Sequence, residues 1–164
     1  MKTYHNTHTT LIISIFTIAI LSSCNKDEVD NTQPIITIDE PMENDTLYIG
    51  SDAHFECDFS DDTELSSYKI EIHNDFDEHS HVKSISIEED SVAFSYQNSW
   101  SFDEGLKNTH IHHHEIVIPE TIGGVRTAQG NYHFGIYCTD IAGNESHQFI
   151  DVILVNGEDP HEED

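Results

Sequence analysis

Residues 110–118 read HIHHHEIVI, and the histidines at 110, 112 and 114 keep the two-residue step of a β-strand. Alternate strand residues share a face about 6–7 Å apart. Two imidazoles at that step reach one ion, because a metal–nitrogen bond is only ~2.0–2.1 Å long. The same H-x-H step recurs at His79 and His81. Imidazole-rich sets suit zinc, copper and nickel, so the chemistry on offer is transition-metal binding, with zinc or copper as the expected ion. No G-x-S-x-G, H-E-x-x-H or glycine-rich phosphate loop is present. The chain therefore reads as a binding protein and not an enzyme.

Strands must position these side chains. IITI (35–38), AHFECDF (53–59), SYKIEIH (67–73), VKSISIEE (82–89), VAFSY (92–96), EIVI (115–118), NYHFGIYC (131–138) and FIDVILV (149–155) have strand composition, and no stretch has a helical period. Alternation turns Ala53, Phe55, Cys57 and Phe59 inward, as it does Tyr68, Ile70 and Ile72, and Tyr132, Phe134, Ile136 and Cys138. The expected fold is all-β: an immunoglobulin-like antiparallel β-sandwich of about seven strands.

In such a sandwich the third strand pairs antiparallel with the penultimate one. The outward His73 then lies beside the outward His133, and the turn NDFDEHSH (74–81) brings His79 and His81 back past the same edge. His73, His79, His81 and His133 form the first expected ligand set, with Asp75 and Asp77 as oxygen ligands or as partners that orient an imidazole. His110, His112 and His114 form the second. If Ile116 and Ile118 face the core, these three continue that face towards its rim, and His113 and Glu115 point out. Alternatively the strand begins only at Glu115 and the histidines sit in a loop. The spacing leaves open one combined site or two. His54 and His147 read as ordinary surface residues. Calcium is the second-ranked cation: Asp61, Asp62 and Glu64 share one turn and Asp140 and Asn144 another, although such residues also cap turns.

The N-terminus reads as targeting sequence. LIISIFTIAIL (11–21) is too short to span a bilayer and suits the core of a signal peptide. It runs into LSSC (21–24), which resembles the lipobox of bacterial lipoproteins. That resemblance implies a signal peptide over 1–23 and lipidation at Cys24, which would be the membrane contact. The following NKDEVD resembles the export signal of Bacteroidota-type surface lipoproteins. It implies an outer-membrane protein facing the cell exterior, with a periplasm-facing one as the alternative. Residues 24–33 form the lipidated tether, 34–156 the domain and 157–164 an acidic tail.

The formal net charge is −26; all 32 acidic residues follow Cys24 and only Lys2 of the six basic ones precedes it. A surface so acidic lacks the basic face that nucleic acid requires, and it attracts cations. Eleven histidines follow Cys24. Their titration near pH 6.5 would offset up to as many negative charges, so a pH-responsive surface is a further reading.

With Cys24 lipidated, Cys57 and Cys138 remain, on strands that face each other across an immunoglobulin-type sandwich. They are expected to form a disulfide, worth ~4–5 kcal/mol on a chain-entropy basis. The hairpin GNYHFGIYCTDIAGN (130–144) resembles the last hairpin of bacterial immunoglobulin-like domains, and FSDDTELSSYKI (59–70) resembles their turn between the second and third strands. With IEIHNDFDEHSH (70–81), HIHHHEIVIP and the lipobox, the chain resembles the lipoprotein family of the domain of unknown function 4625. That resemblance implies an envelope lipoprotein with an immunoglobulin-like fold and no particular activity. The alternative function is an interaction module for a glycan or partner protein, with Trp100, Phe102, Tyr96 and Tyr137 as a stacking face or, for Trp100, as core.

Overall fold

The computed structural model describes residues 29–75 and 90–158. The expected strand at 82–89, the lipobox with Cys24, and Asp77, His79 and His81 lie outside the described residues. The strands are β1 (Ile35–Glu40), β2 (Asp45–Ile49), β3 (Asp52–Ser60), β4 (Leu65–Asn74), β5 (Ser91–Val92), β6 (Ser95–Ser101), β7 (Asn108–Val117), β8 (Thr121–Ile122), β9 (Val125–Thr127), β10 (Gly130–Asp140) and β11 (Glu145–Asn156). They form a β1-β3-β7 sheet, a β2-β11-β10-β4-β6 sheet and a small β5-β9-β8 sheet. The two large sheets bury their inner faces in one core, an immunoglobulin-like sandwich.

The core is where alternation puts it. Phe55, Cys57 and Phe59 of β3 lie against Ile70 and Ile72 of β4, Phe134, Ile136 and Cys138 of β10, and Val152 and Leu154 of β11. Full burial of one such side chain contributes roughly 1.5–3 kcal/mol. Between β1 and β2 the chain passes a cis Glu40–Pro41 peptide and changes sheets. β1 pairs antiparallel with β3, and β2 runs parallel to β11.

The strands differ from the expected ones in several places. The segment expected as one strand at 92–96 is divided between β5 and β6, with Phe94 buried between them. β2 is an additional strand; only Leu47 and Ile49 of it are buried, too little pattern to stand out in sequence. β7 begins at Asn108, so the histidines lie within the strand and not in a loop ahead of Glu115.

The parity of β7 also differs. Phe55 faces His113 and Ala53 faces Ile116, so β7 advances three residues where β3 advances two. That β-bulge inserts one extra residue and flips the alternation. Ile116 is buried, but Ile111 and His113 take the inward positions of the histidine segment, and His110, His112 and His114 point to solvent. The expectation of His110, His112 and His114 on the face of Ile116, with His113 outward, is therefore reversed. Glu115 is outward as expected and accepts a 2.8 Å hydrogen bond from Trp100 Nε1.

Cys57 and Cys138 are both fully buried, as parity required, but they are free thiols and the expected disulfide is not formed. Burial pushes each thiol up to about 12, so neither offers a thiolate to a metal ion.

Candidate metal centre

The outer face of the β3–β7 pair carries His54, Glu56 and Asp58 on β3 against His110, His112 and His114 on β7. The register sets Glu56 opposite His112 and Asp58 opposite His110; His54 falls opposite the bulge. Its ring lies 4.6 Å from that of His112 and stacks on that of His114 at 4.7 Å, centroid to centroid. One ring nitrogen from each of the three lies within 4.8 Å of the others. His112 Nε2 and His114 Nε2 are 3.3 Å apart. Two nitrogens bound to a tetrahedral ion at ~2.0–2.1 Å stand ~3.3 Å apart, so this pair already has the spacing of ligands.

Carboxylates orient the rings. Asp52 Oδ2 lies 2.7 Å from His114 Nδ1, and Glu40 Oε2 lies 3.1 Å from His54 Nδ1. A carboxylate that takes the proton of Nδ1 leaves the Nε2 lone pair free for a metal and raises its basicity. His54 Nε2 is shut off from solvent and has no hydrogen-bond partner. Glu56 Oε2, 4.0 Å from that nitrogen, is within reach as a fourth ligand. Three imidazoles with an open fourth position suit zinc, and the same donors suit copper.

The neighbouring histidines do other things. His110 is held at both ring nitrogens, by Glu56 Oε1 at 3.0 Å and Asp58 Oδ1 at 2.9 Å. The hydrogen bond to Asp58 raises its pKa, so the imidazolium is favoured and His110 acts as an ion-pair partner. It groups with Asp39 and Asp58 and not with His112 and His114. His113 packs between Phe55, Trp100 and Tyr68, at ring separations of 5.1, 4.9 and 6.3 Å. Burial lowers its pKa and keeps it neutral, an aromatic wedge more than a ligand.

The other expected ligand set is assembled in part. His73 pairs with His133 across β4 and β10, their rings 5.4 Å apart. His133 has a carboxylate at each nitrogen: Asp151 Oδ1 at 2.7 Å from Nδ1 and Asp75 Oδ1 at 3.4 Å from Nε2. His73 Nδ1 lies 3.6 Å from Glu71 Oε1. His133 is thus committed to acids, and no third imidazole joins the pair among the described residues. The two histidine groups occupy opposite outer faces of the sandwich, which makes them two places and not one.

Sequence reasoning missed His54. The signal was the outward alternation His54, Glu56, Asp58 on the strand that an immunoglobulin-like fold pairs with the histidine strand. Of the proposed stacking face, Trp100, Phe102 and Tyr96 pack against the core, while Tyr137 stays on the outer face of the larger sheet.

No curated protein matches the chain. A family model does, over residues 22–155; its description is Domain of unknown function (DUF4625).

Proposed function

The chain belongs to the DUF4625 family, and we propose that it holds one zinc or copper ion on His54, His112 and His114 from a lipid anchor at Cys24. The observation that carries this reading is the convergence of the three ring nitrogens within 4.8 Å, two of the rings braced by Asp52 and Glu40. The lipid anchor rests on the apolar run 11–21 and the LSSC that ends it. The acidic surface concentrates cations near the site. Capture of a metal ion at the cell surface, or tolerance of excess metal, is the role that fits an anchored binder without catalytic machinery.

The test is calorimetric titration of zinc and of copper(II) into the chelator-stripped full-length chain in detergent, with bound metal counted by mass spectrometry. One ion per chain at a Kd of about 1 µM or tighter, ~8 kcal/mol of binding, is expected. A folded His54→Ala/His112→Ala/His114→Ala variant should lose it. Weak binding that the variant leaves unchanged sinks the reading.

One observation favours the second reading, a non-enzymatic module for a glycan or partner protein. Phe149 is 47% exposed and lies over Gly135, where a Cβ would stand 2.6 Å from its ring. Tyr137 and His147 meet it edge-on at 5.6 and 5.5 Å, and Lys69 Nζ sits 3.6 Å over the Tyr137 ring. Such a platform suits stacking against a sugar. Binding there should survive chelation, whereas the metal reading leaves nothing to measure once metal is removed.

A further inference from the structure

A third group of titratable side chains lies at the end of the sandwich where the tether enters. Asp30 comes from the tether, Asp61 from the β3–β4 turn and Asp140 from the end of β10. One carboxylate oxygen from each lies within 4.8 Å of the others. Unlike the acidic residues on the strand faces, two of these are enclosed, Asp61 at 9% and Asp140 at 2% exposed, while Asp30 is partly exposed.

Turn chemistry accounts for only some of their oxygens. Asp61 Oδ1 accepts hydrogen bonds from the backbone N–H of Thr63 and of Glu64, both at 2.8 Å. Asp140 accepts from Asn144 at both oxygens, at 2.7 and 2.6 Å. Asp30 Oδ1 accepts from Thr32 N at 2.9 Å. Asp61 Oδ2 is shut off from solvent with no hydrogen-bond partner, whereas the Asp30 carboxylate also draws on Thr63 and Thr32. Among the described residues, the Asp61 oxygen, buried beside two other carboxylates with no donor, lacks the positive group that normally compensates it. Among the described residues, Lys107 is the lysine that acts on Asp30, and it directs its Nζ to the Asp62 carbonyl at 2.6 Å.

We propose that Asp30, Asp61 and Asp140 form a calcium site that clasps the tether to the two turns. Hard carboxylate oxygens with no nitrogen or sulfur among them select calcium or magnesium over zinc and copper. Calcium takes 6–8 oxygens in flexible geometry, which three carboxylates completed by water and backbone carbonyls can supply. Magnesium demands a near-ideal octahedron, which a tether segment and two separate turns are poorly suited to impose. The ion adds the compensation that Asp61 Oδ2 lacks and fixes the direction in which the chain leaves the domain. Of the residues expected from sequence, Asp61 and Asp140 are ligands and Asn144 braces Asp140. Asp62 takes a hydrogen bond from Thr32 Oγ1 and Glu64 one from Gly105 N, outside the group. Asp30 went unnoticed because it sits in the tether.

The site stands independently of the histidine centre, and its test keeps the two apart. Calcium chloride is titrated into the chelator-stripped full-length chain, and melting is followed with calcium and with magnesium. A Kd of about 0.1–1 mM is expected. At about 10 mM calcium the melting temperature should rise by about 5 °C, and magnesium should give less than half of that. Asp61→Asn and Asp140→Asn also disturb their turns, so the decisive variant is Asp30→Asn, outside every strand. It should weaken calcium binding about tenfold while melting like the parent chain in chelator. The His54→Ala/His112→Ala/His114→Ala variant should keep the whole calcium response. Absence of any heat or melting shift at about 10 mM calcium overturns the proposal. Unchanged calcium affinity in Asp30→Asn, or an equal response to magnesium, does the same.

Discussion

The two outer faces of the sandwich both present histidines beside carboxylates, yet they come to opposite chemistry. On the β3–β7 face three rings converge, and acids hold the far nitrogens of two of them, so the near nitrogens stay open. On the β4–β10 face His133 has acids at both nitrogens, and His73 meets it ring to ring, with no third imidazole among the described residues. Composition is nearly the same on the two faces. What differs is which ring nitrogen each carboxylate takes, and that is set by strand register. A close carboxylate on Nδ1 alone leaves the other nitrogen open to an ion; carboxylates at both nitrogens leave none open.

The comparison breaks most sharply if the wrong face binds. Replacing His54, His112 and His114 by alanine should weaken zinc about 100-fold or more, ~2.7 kcal/mol, while His73→Ala/His133→Ala should change it by less than about threefold. Competition against a chromophoric chelator reads both. If the second variant proves the costlier, the faces have been assigned the wrong way round. A smaller effect tests the orienting acids: Asp52→Asn should cost about tenfold in affinity, because His114 then loses the group that fixes its ring. Titrations of Asp52→Asn and Asp151→Asn side by side should show a loss only in the first.

The smallest effects are in stability and have opposite signs for two residues of β7. The pKa of His113 is lowered by burial, so its folded value lies below the unfolded value near 6.5. Between the two only the unfolded chain takes the proton, and stability should fall as pH drops below about 6.5. The pKa of His110 is raised, first by its hydrogen bond to Asp58. Its contribution is complete below the unfolded pKa and is lost as pH rises through the folded one. Urea midpoints from about pH 5 to 8 should show His113→Phe flattening the acid side. Asp58→Asn should flatten the neutral side. A slope on the acid side that His113→Phe leaves in place would mean that His113 is not the residue being protonated.

The strands with strict alternation were legible in the sequence. β3, β4 and β10 bury every residue that parity assigned to the core, because each is half-buried along its length and only one phase satisfies it. The pairing of His73 with His133 followed from those phases and the fold. The parity of β7 did not. Its inward residues are Thr109, Ile111 and His113, a polar, an apolar and an aromatic side chain with no plain hydrophobic phase, and the bulge leaves no mark in composition. His54 was passed over for the same reason: its partners become visible only when β7 is read in its shifted phase. The carboxylate group at the tether escaped because its members are far apart in the chain and only turn closure brings them together.

The extra residue of the β7 bulge acts on a strand as a frameshift acts on a message. Everything on its N-terminal side is read in the other phase, so three histidines reach the surface and a fourth turns inward without any substitution. Deleting Glu115 would remove the extra residue and pair His114 alone opposite His54, so His110, His112 and His114 would stay outward in an unbroken alternation. The outward phase of the histidines thus depends on the extra residue being absorbed as a bulge; without the bulge the same sequence would turn His112 and His114 towards Phe55.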